Sequence, residues 1–145
     1  MIKRIVVLLS VTVLLFSTAP ARASGNINYF YTSEVIRQVN VERAKYGLNQ
    51  LTIDHDLMQA AYIRTEEIIE KFSHTRPDGS HWSTVSVKAR GENIALGYGY
   101  PDKVMAAWLT SSGHRRNILR SGFGSIGVCA VEYNGIMYWV QLFGK

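Results

Sequence analysis

The sequence predicts a three-layer α–β–α sandwich, and two observations carry that reading. Near the C-terminus, residues 126–133 and 136–143 are two apolar runs flanking Asn134-Gly135, the signature of a β-hairpin closed by a two-residue type I′ turn. In the register that turn sets, Tyr133, Val131 and Cys129 share one face with Ile136, Tyr138 and Val140. Ala130 and Ile126 share the other with Trp139 and Phe143. Both faces are apolar, so an antiparallel sheet containing this hairpin needs helices on each side. The second observation is that the preceding chain supplies helix-period segments to cover it.

Length and composition set the frame. Of 145 residues, the first 23 read as a secretory signal: Lys3 and Arg4, an apolar stretch from Ile5 to Phe16, then Ala21-Arg22-Ala23 as a small-x-small cleavage pattern. The stretch falls short of the roughly 20 residues a bilayer span requires. An uncleaved anchor, touching the membrane through this segment alone, is the alternative. Residues 24–145 form one domain, expected to act as a monomer outside the cell or in its envelope. Its balance is 13 basic to 11 acidic side chains, +2, which gives no reason to expect nucleic acid. Cys129 is the lone cysteine, so no internal disulfide forms, and its strand-like surroundings suit a buried, inert thiol.

Taken in order, Thr32 or Ser33 caps a first helix running to about Tyr46, with Val35, Val39 and Ala44 near one face and Gly47 as its stop. Leu51 plugs the short connection that follows. Asp54 caps a second helix, with Asp56 in its first turn, where the helix dipole favours negative charge. Leu57, Ala60, Ala61, Ile68 and Ile69 face inward. Glu66, Glu67, Glu70 and Lys71 form a solvated side, and the helix ends near Phe72. Residues 74–80 make a turn around Pro77 and Asp78-Gly79. Val85 and Val87 alternate with polar neighbours, as in a short strand. Gly97 and Gly99 form a loop, and Pro101 opens a third helix that buries Val104, Ala107 and Trp108 and stops around Ser112. Gly113 is read as its left-handed terminus, leaving His114 aimed by a fixed backbone.

Three polar side chains then stand out: His74 after the second helix, Glu92 in Gly91-Glu92-Asn93-Ile94-Ala95, and His114. Two neutral imidazoles and a carboxylate are a sensible partial shell for Zn2+ or another divalent cation, with water completing it. If Glu92 stands behind the ligands, the ion is weakly held and sensitive to pH. Glu92 has three readings: locking its loop through backbone N–H groups, orienting an imidazole, or acting as a general base. Orientation is favoured over catalysis. Taken alone, His74 reads first as a histidine bonded to nearby backbone in its turn. Ser111 and His114, three apart, do not make a nucleophile pair, because Gly113 interrupts the helix between them and no oxyanion arrangement is visible. His55 and His81 are assigned no ligand role. Asn93 and Asn117 are read as loop-locking amides, and Arg115, Arg116 and Arg120 as a basic group beside the cleft.

Four stretches stand in a recognisable order: Phe72-Ser73-His74-Thr75-Arg76-Pro77-Asp78-Gly79, Gly91-Glu92-Asn93-Ile94-Ala95, Trp108 with Ser111-Ser112-Gly113-His114-Arg115-Arg116-Asn117-Ile118-Leu119, and Tyr138-Trp139-Val140-Gln141-Leu142-Phe143-Gly144. Together they resemble the CAP superfamily of cysteine-rich secretory, antigen 5 and pathogenesis-related 1 proteins, most of all its compact bacterial secreted branch. The resemblance spans nearly all of residues 24–145. It implies an α–β–α sandwich with a central cleft of two His and two acids, where zinc or another divalent ion is seen in many members. The His positions fall on His74 and His114, and the first acid on Glu92. The second acid position is Ser111, whose hydroxyl is a poor ligand and no base, so the implied metal site is weaker and a two-carboxylate glycosidase is disfavoured. The disulfides of animal members are absent. The leading expectation is an extracellular binding module for an unidentified extracellular or envelope ligand. A metal-assisted hydrolase, with Glu92 as base beside His74 and His114, is the alternative. A sterol or lipid carrier, as reported for relatives, is a third.

Overall fold

The computed structural model describes residues 25–145, and the signal-segment assignment to residues 1–23 lies outside them. Elements follow in the order β1 (Asn26–Ile27), α1 (Tyr29–Lys45), β2 (Thr52–Ile53), α2 (His55–Glu70), a 3-10 turn (Trp82–Val85), β3 (Gly91–Leu96), α3 (Pro101–Thr110), α4 (Ser112–Ile118), β4 (Ser125–Tyr133) and β5 (Ile136–Gly144). Strands run β1-β4-β5-β3 across one sheet, antiparallel throughout except that the short β2 lies parallel to β4.

The hairpin register is as expected from Asn134-Gly135, with Tyr133 opposite Ile136 and Cys129 opposite Val140. Both turn residues have the positive φ that type I′ demands, 51° and 76°. Helices cover both faces. Val35, Ile36 and Val39 of α1 join Val104 and Trp108 of α3 over Ala130 and Trp139, while α2 packs Leu57, Ala61 and Ile68 over Cys129, Val140 and Leu142. The three-layer architecture therefore stands. Leu51 is buried, and so is the free thiol of Cys129.

Several local expectations are corrected. Helix α1 begins a turn earlier than Thr32, because Asn28 caps it by accepting from the Tyr31 N–H at 2.9 Å. Thr32 instead spends its hydroxyl on the Ala130 N–H of the sheet, at 3.2 Å. Arg43, not Ala44, faces inward. Glu67 is buried rather than solvated, since Arg64 and Arg76 neutralise it. Val85 and Val87 form no strand: the His81 side chain accepts from the Ser83 N–H and starts a 3-10 turn. Gly113 is not a helix stop either. The break falls at Ser111, whose extended backbone (φ −78°, ψ 121°) ends α3 and begins α4, so Gly113 and His114 lie in the first turn of α4.

Candidate functional site

Glu92 and Asn93 lie on β3, buried side by side, rather than in a loop. Alternation along a strand sends them to opposite faces. Glu92 points toward α2, where Arg64 donates Nε to Oε2 at 2.7 Å and Nη2 to Oε1 at 3.3 Å. Arg64 also bonds Glu67 at 2.5 Å and the Ser73 carbonyl at 2.8 Å. Arg76, from the turn beyond His74, closes the network on Glu67 at 2.7 Å. A buried charge cluster therefore pins the segment between α2 and the 3-10 turn.

That segment delivers His74. Its Nδ1 lies 2.8 Å from Glu92 Oε1, while half of its side chain (52%) is open to solvent. A carboxylate already accepting from a guanidinium can only accept again, so Nδ1 is the donor in this bond, and in the neutral ring Nε2 is the nitrogen that carries the lone pair. The carbonyl of His74 accepts from the Trp82 N–H at 3.1 Å, which fixes the backbone behind the ring.

Asn93, on the opposite face, holds the other half of the site. Its Nδ2 donates to the His114 carbonyl at 3.1 Å and to Gln141 Oε1 at 2.9 Å, and its Oδ1 accepts from Asn117 at 2.9 Å. Asn117 also donates to the Glu92 carbonyl at 3.1 Å. These amides tie α4 to the sheet; they do not lock loops. His114 is half-buried beside the cleft, and Ser111 stands at the helix break with no capping bond from its hydroxyl. Both line a cavity of about 330 Å³ walled by Phe72, Leu96, Tyr98 and Trp108. Burial, and secondarily the charge of His74, pushes the His114 pKa down, which favours the neutral, lone-pair-bearing imidazole.

His74 and Glu92 are thus in direct contact, and His114 is close enough to sense His74. Among the described residues no group of three or more His, Cys, Asp and Glu side chains is arranged to hold a metal. His114 lines the cavity while His74 and Glu92 do not, and two imidazoles with a clamped carboxylate do not make a closed four-ligand site. Glu92 has both oxygens engaged and its side chain fully buried. His55 is exposed, and His81 caps its turn and packs against Trp82. Arg115 bonds the Tyr46 hydroxyl at 2.7 Å, and Arg120 lies over Phe123, so both engage aromatic rings. Sequence reasoning missed Arg64, Glu67 and Gln141. The spacing of Arg64 and Glu67, three apart on a helix, was the available signal.

The sequence profile of the cysteine-rich secretory protein (CAP) family matches residues 36–143. The chain belongs to the CAP family. Among curated relatives of this CAP domain, YkwD of Bacillus subtilis is 38% identical over 135 residues, 88% of this chain and 50% of YkwD. The B. subtilis membrane protein YlbC is 31% identical over 103 residues, 66% of this chain and 30% of YlbC. The CAP chain thus spans half or less of these relatives' length. Solved structures share the fold. An outer surface protein of Borrelia burgdorferi superposes with a TM-score of 0.71 at 23% identity, covering 84% of this chain and 98% of its own. An extracellular SCP-domain protein of Bacillus anthracis gives 0.70 at 23% identity, covering 80% and 40%. NaASP2, solved with Zn2+, gives 0.65 at 13% identity, covering 88% and 84%.

Proposed function

We propose that this CAP domain works outside the cytoplasm, as a single chain, as a binding module whose cleft takes a weakly held divalent ion between His74 and His114. The observation that carries the reading is the contact of His74 Nδ1 with a Glu92 carboxylate clamped by Arg64. It presets His74 to offer Nε2, the arrangement by which carboxylates behind a metal site prepare histidine ligands. Asn93 fixes the backbone of the second imidazole. When bound, such an ion supplies a positive, ligand-accepting point in the cleft. NaASP2, which shares the fold, was solved with Zn2+. An extracytoplasmic location is supported by the signal-like N-terminal sequence and by structural relatives described as extracellular or outer surface proteins. In the described residues no helix is long and apolar enough to cross a membrane. The bonding of Glu92 favours this reading over a hydrolase with Glu92 as base.

The test is calorimetric titration of the purified protein with zinc chloride, with elemental analysis beforehand, for wild type and His114→Ala. Uptake that vanishes in His114→Ala, with the circular dichroism spectrum unchanged, is the expected result. Equal uptake by both proteins removes the ion from the cleft.

A further inference from the structure

The cavity holding His114 does not end at Ser111. It shares Tyr98, Ala107 and Ser111 with a second, shallower depression of about 660 Å³, which continues over Gly97 and Gly99 to Lys103 and Thr110. The two make one trough, walled at the His114 end by Phe72 and along its length by Tyr98. These rings are 49% and 39% exposed. Its floor is small, built from Gly97, Gly99, Ala106 and Ala107, so a ligand can lie close to the backbone. The loop carrying Tyr98 is held in place. The Tyr98 carbonyl accepts from Trp139 Nε1 at 2.8 Å, Tyr31 stacks on Trp139, and Tyr100 packs edge-on against Tyr31. A platform fixed in this way does not lose ordering entropy when something binds to it.

The geometry points to this trough as a binding site for a carboxylate-bearing oligosaccharide. Resting on the binding-module reading above, it names a ligand class for that module. Exposed aromatic faces accept the apolar faces of sugar rings, as they accept other flat, partly polar partners. Ser111, which makes no capping bond, lies at the same surface to meet sugar hydroxyls, while Thr110 beside it already donates to the Ala106 carbonyl at 2.8 Å and can only accept from the ligand. Lys103, two-thirds exposed and only loosely paired with Asp102 at 3.5 Å, places a cation at the far end for a sugar carboxylate. The trough is open to solvent along one side, which suits a ligand with hydroxyls on its outer face. A lipid chain needs enclosure. An added peptide strand would need the outer carbonyls of β3. Those of Glu92 and Ile94 already accept from Asn117 at 3.1 Å and from Trp108 at 3.4 Å.

The experiment is an amide NMR titration of the purified protein with tetragalacturonate, with chitotetraose, dodecanoate and a neutral hexapeptide as comparison probes. Tetragalacturonate is expected to move the amides of Tyr98, Lys103 and Ser111 and to bind more tightly than chitotetraose. Tyr98→Ala should weaken it about five- to tenfold. Lys103→Met should weaken it about threefold at low salt, a difference that disappears at about 0.5 M salt. With EDTA present the same amides should still respond, so failure of the ion and failure of the saccharide are separate results. The proposal is overturned by no response at millimolar tetragalacturonate, by shifts confined to Arg115–Arg120, by equal binding of both saccharides, or by dodecanoate or the peptide taking the trough instead.

Discussion

Arg64 meets Glu92 with neither side chain exposed, through two bonds of 2.7 and 3.3 Å. The same guanidinium reaches Glu67, so one cation on α2 balances two carboxylates, with Arg76 as the fourth member. A buried pair like this contributes little over an apolar substitute, yet removing one partner strands the others.

Arg64→Met should therefore cost about 3–5 kcal/mol in urea unfolding. The pH dependence has a definite sign. Burial alone would raise the Glu67 pKa, but hydrogen bonds from Arg76 and Arg64 outweigh it and hold the folded value below the ordinary 4.5. Glu67 thus contributes stability that is fully present above 4.5 and lost as pH falls through its lower folded pKa. In Glu67→Gln the fall of stability with acid should be shallower than in wild type. An unchanged slope would mean that Glu67 is not ion-paired in solution.

His114 provides a second pH test. Burial first, and the charge of His74 second, hold its pKa below 6.5. A depressed histidine leaves stability intact above 6.5 and withdraws it as pH falls through the folded pKa. In NMR titration His114 should reach half-protonation below 6.5. His74→Ala should move that midpoint upward but not fully back, because burial remains. A midpoint unmoved by His74→Ala would separate the two rings.

How much of this was legible in the sequence depended on the range of the interaction. Asn134-Gly135 set the hairpin register and Asp54 capped α2, because both act within a few residues. Asn28 was missed because Thr32 is also an acceptable cap by type, and only the distant Ala130 N–H reassigns it. Glu67 looked wet because its partner Arg76 lies nine residues away across a turn. The burial of Glu92 and Asn93 followed from β3 pairing with β5, which no local pattern announced. Family motifs singled out His74 and His114 as candidates, but the tie from Asn93 to the His114 carbonyl emerged only from the folded chain.

Arg43 is the clearest case of a charge with a structural task. It is fully buried and bonds the carbonyls of Asn49, Ile118, Arg120 and Phe123 at 2.8, 2.8, 3.0 and 3.3 Å. Four neutral acceptors gather around one guanidinium and fasten the end of α4 to α1. An ammonium cannot span that fan of carbonyls. Arg43→Lys should cost about 2 kcal/mol and Arg43→Met more, read from urea midpoints, since each abandoned carbonyl carries its own desolvation penalty. Wild-type stability in Arg43→Lys would show that the fan contributes nothing.

Two glycines make opposite predictions. At Gly127 on β4 a Cβ would stand 2.5 Å from the Met58 nitrogen and closer still to the Leu57 carbonyl group, all backbone atoms of α2. Those atoms cannot swing aside like a flexible side chain. Gly127→Ala must therefore push α2 off the sheet or distort the strand, at about 3 kcal/mol, the upper range of an overpacked core. Gly113 sits in the first turn of α4, where an added methyl would meet nothing within 4 Å and φ is not positive. Gly113→Ala should instead stabilise by about 0.5–1 kcal/mol, because alanine loses less backbone freedom in a helix. If Gly113→Ala destabilised the protein while Gly127→Ala did not, α4 would not be helical at Gly113 and α2 would not rest on β4.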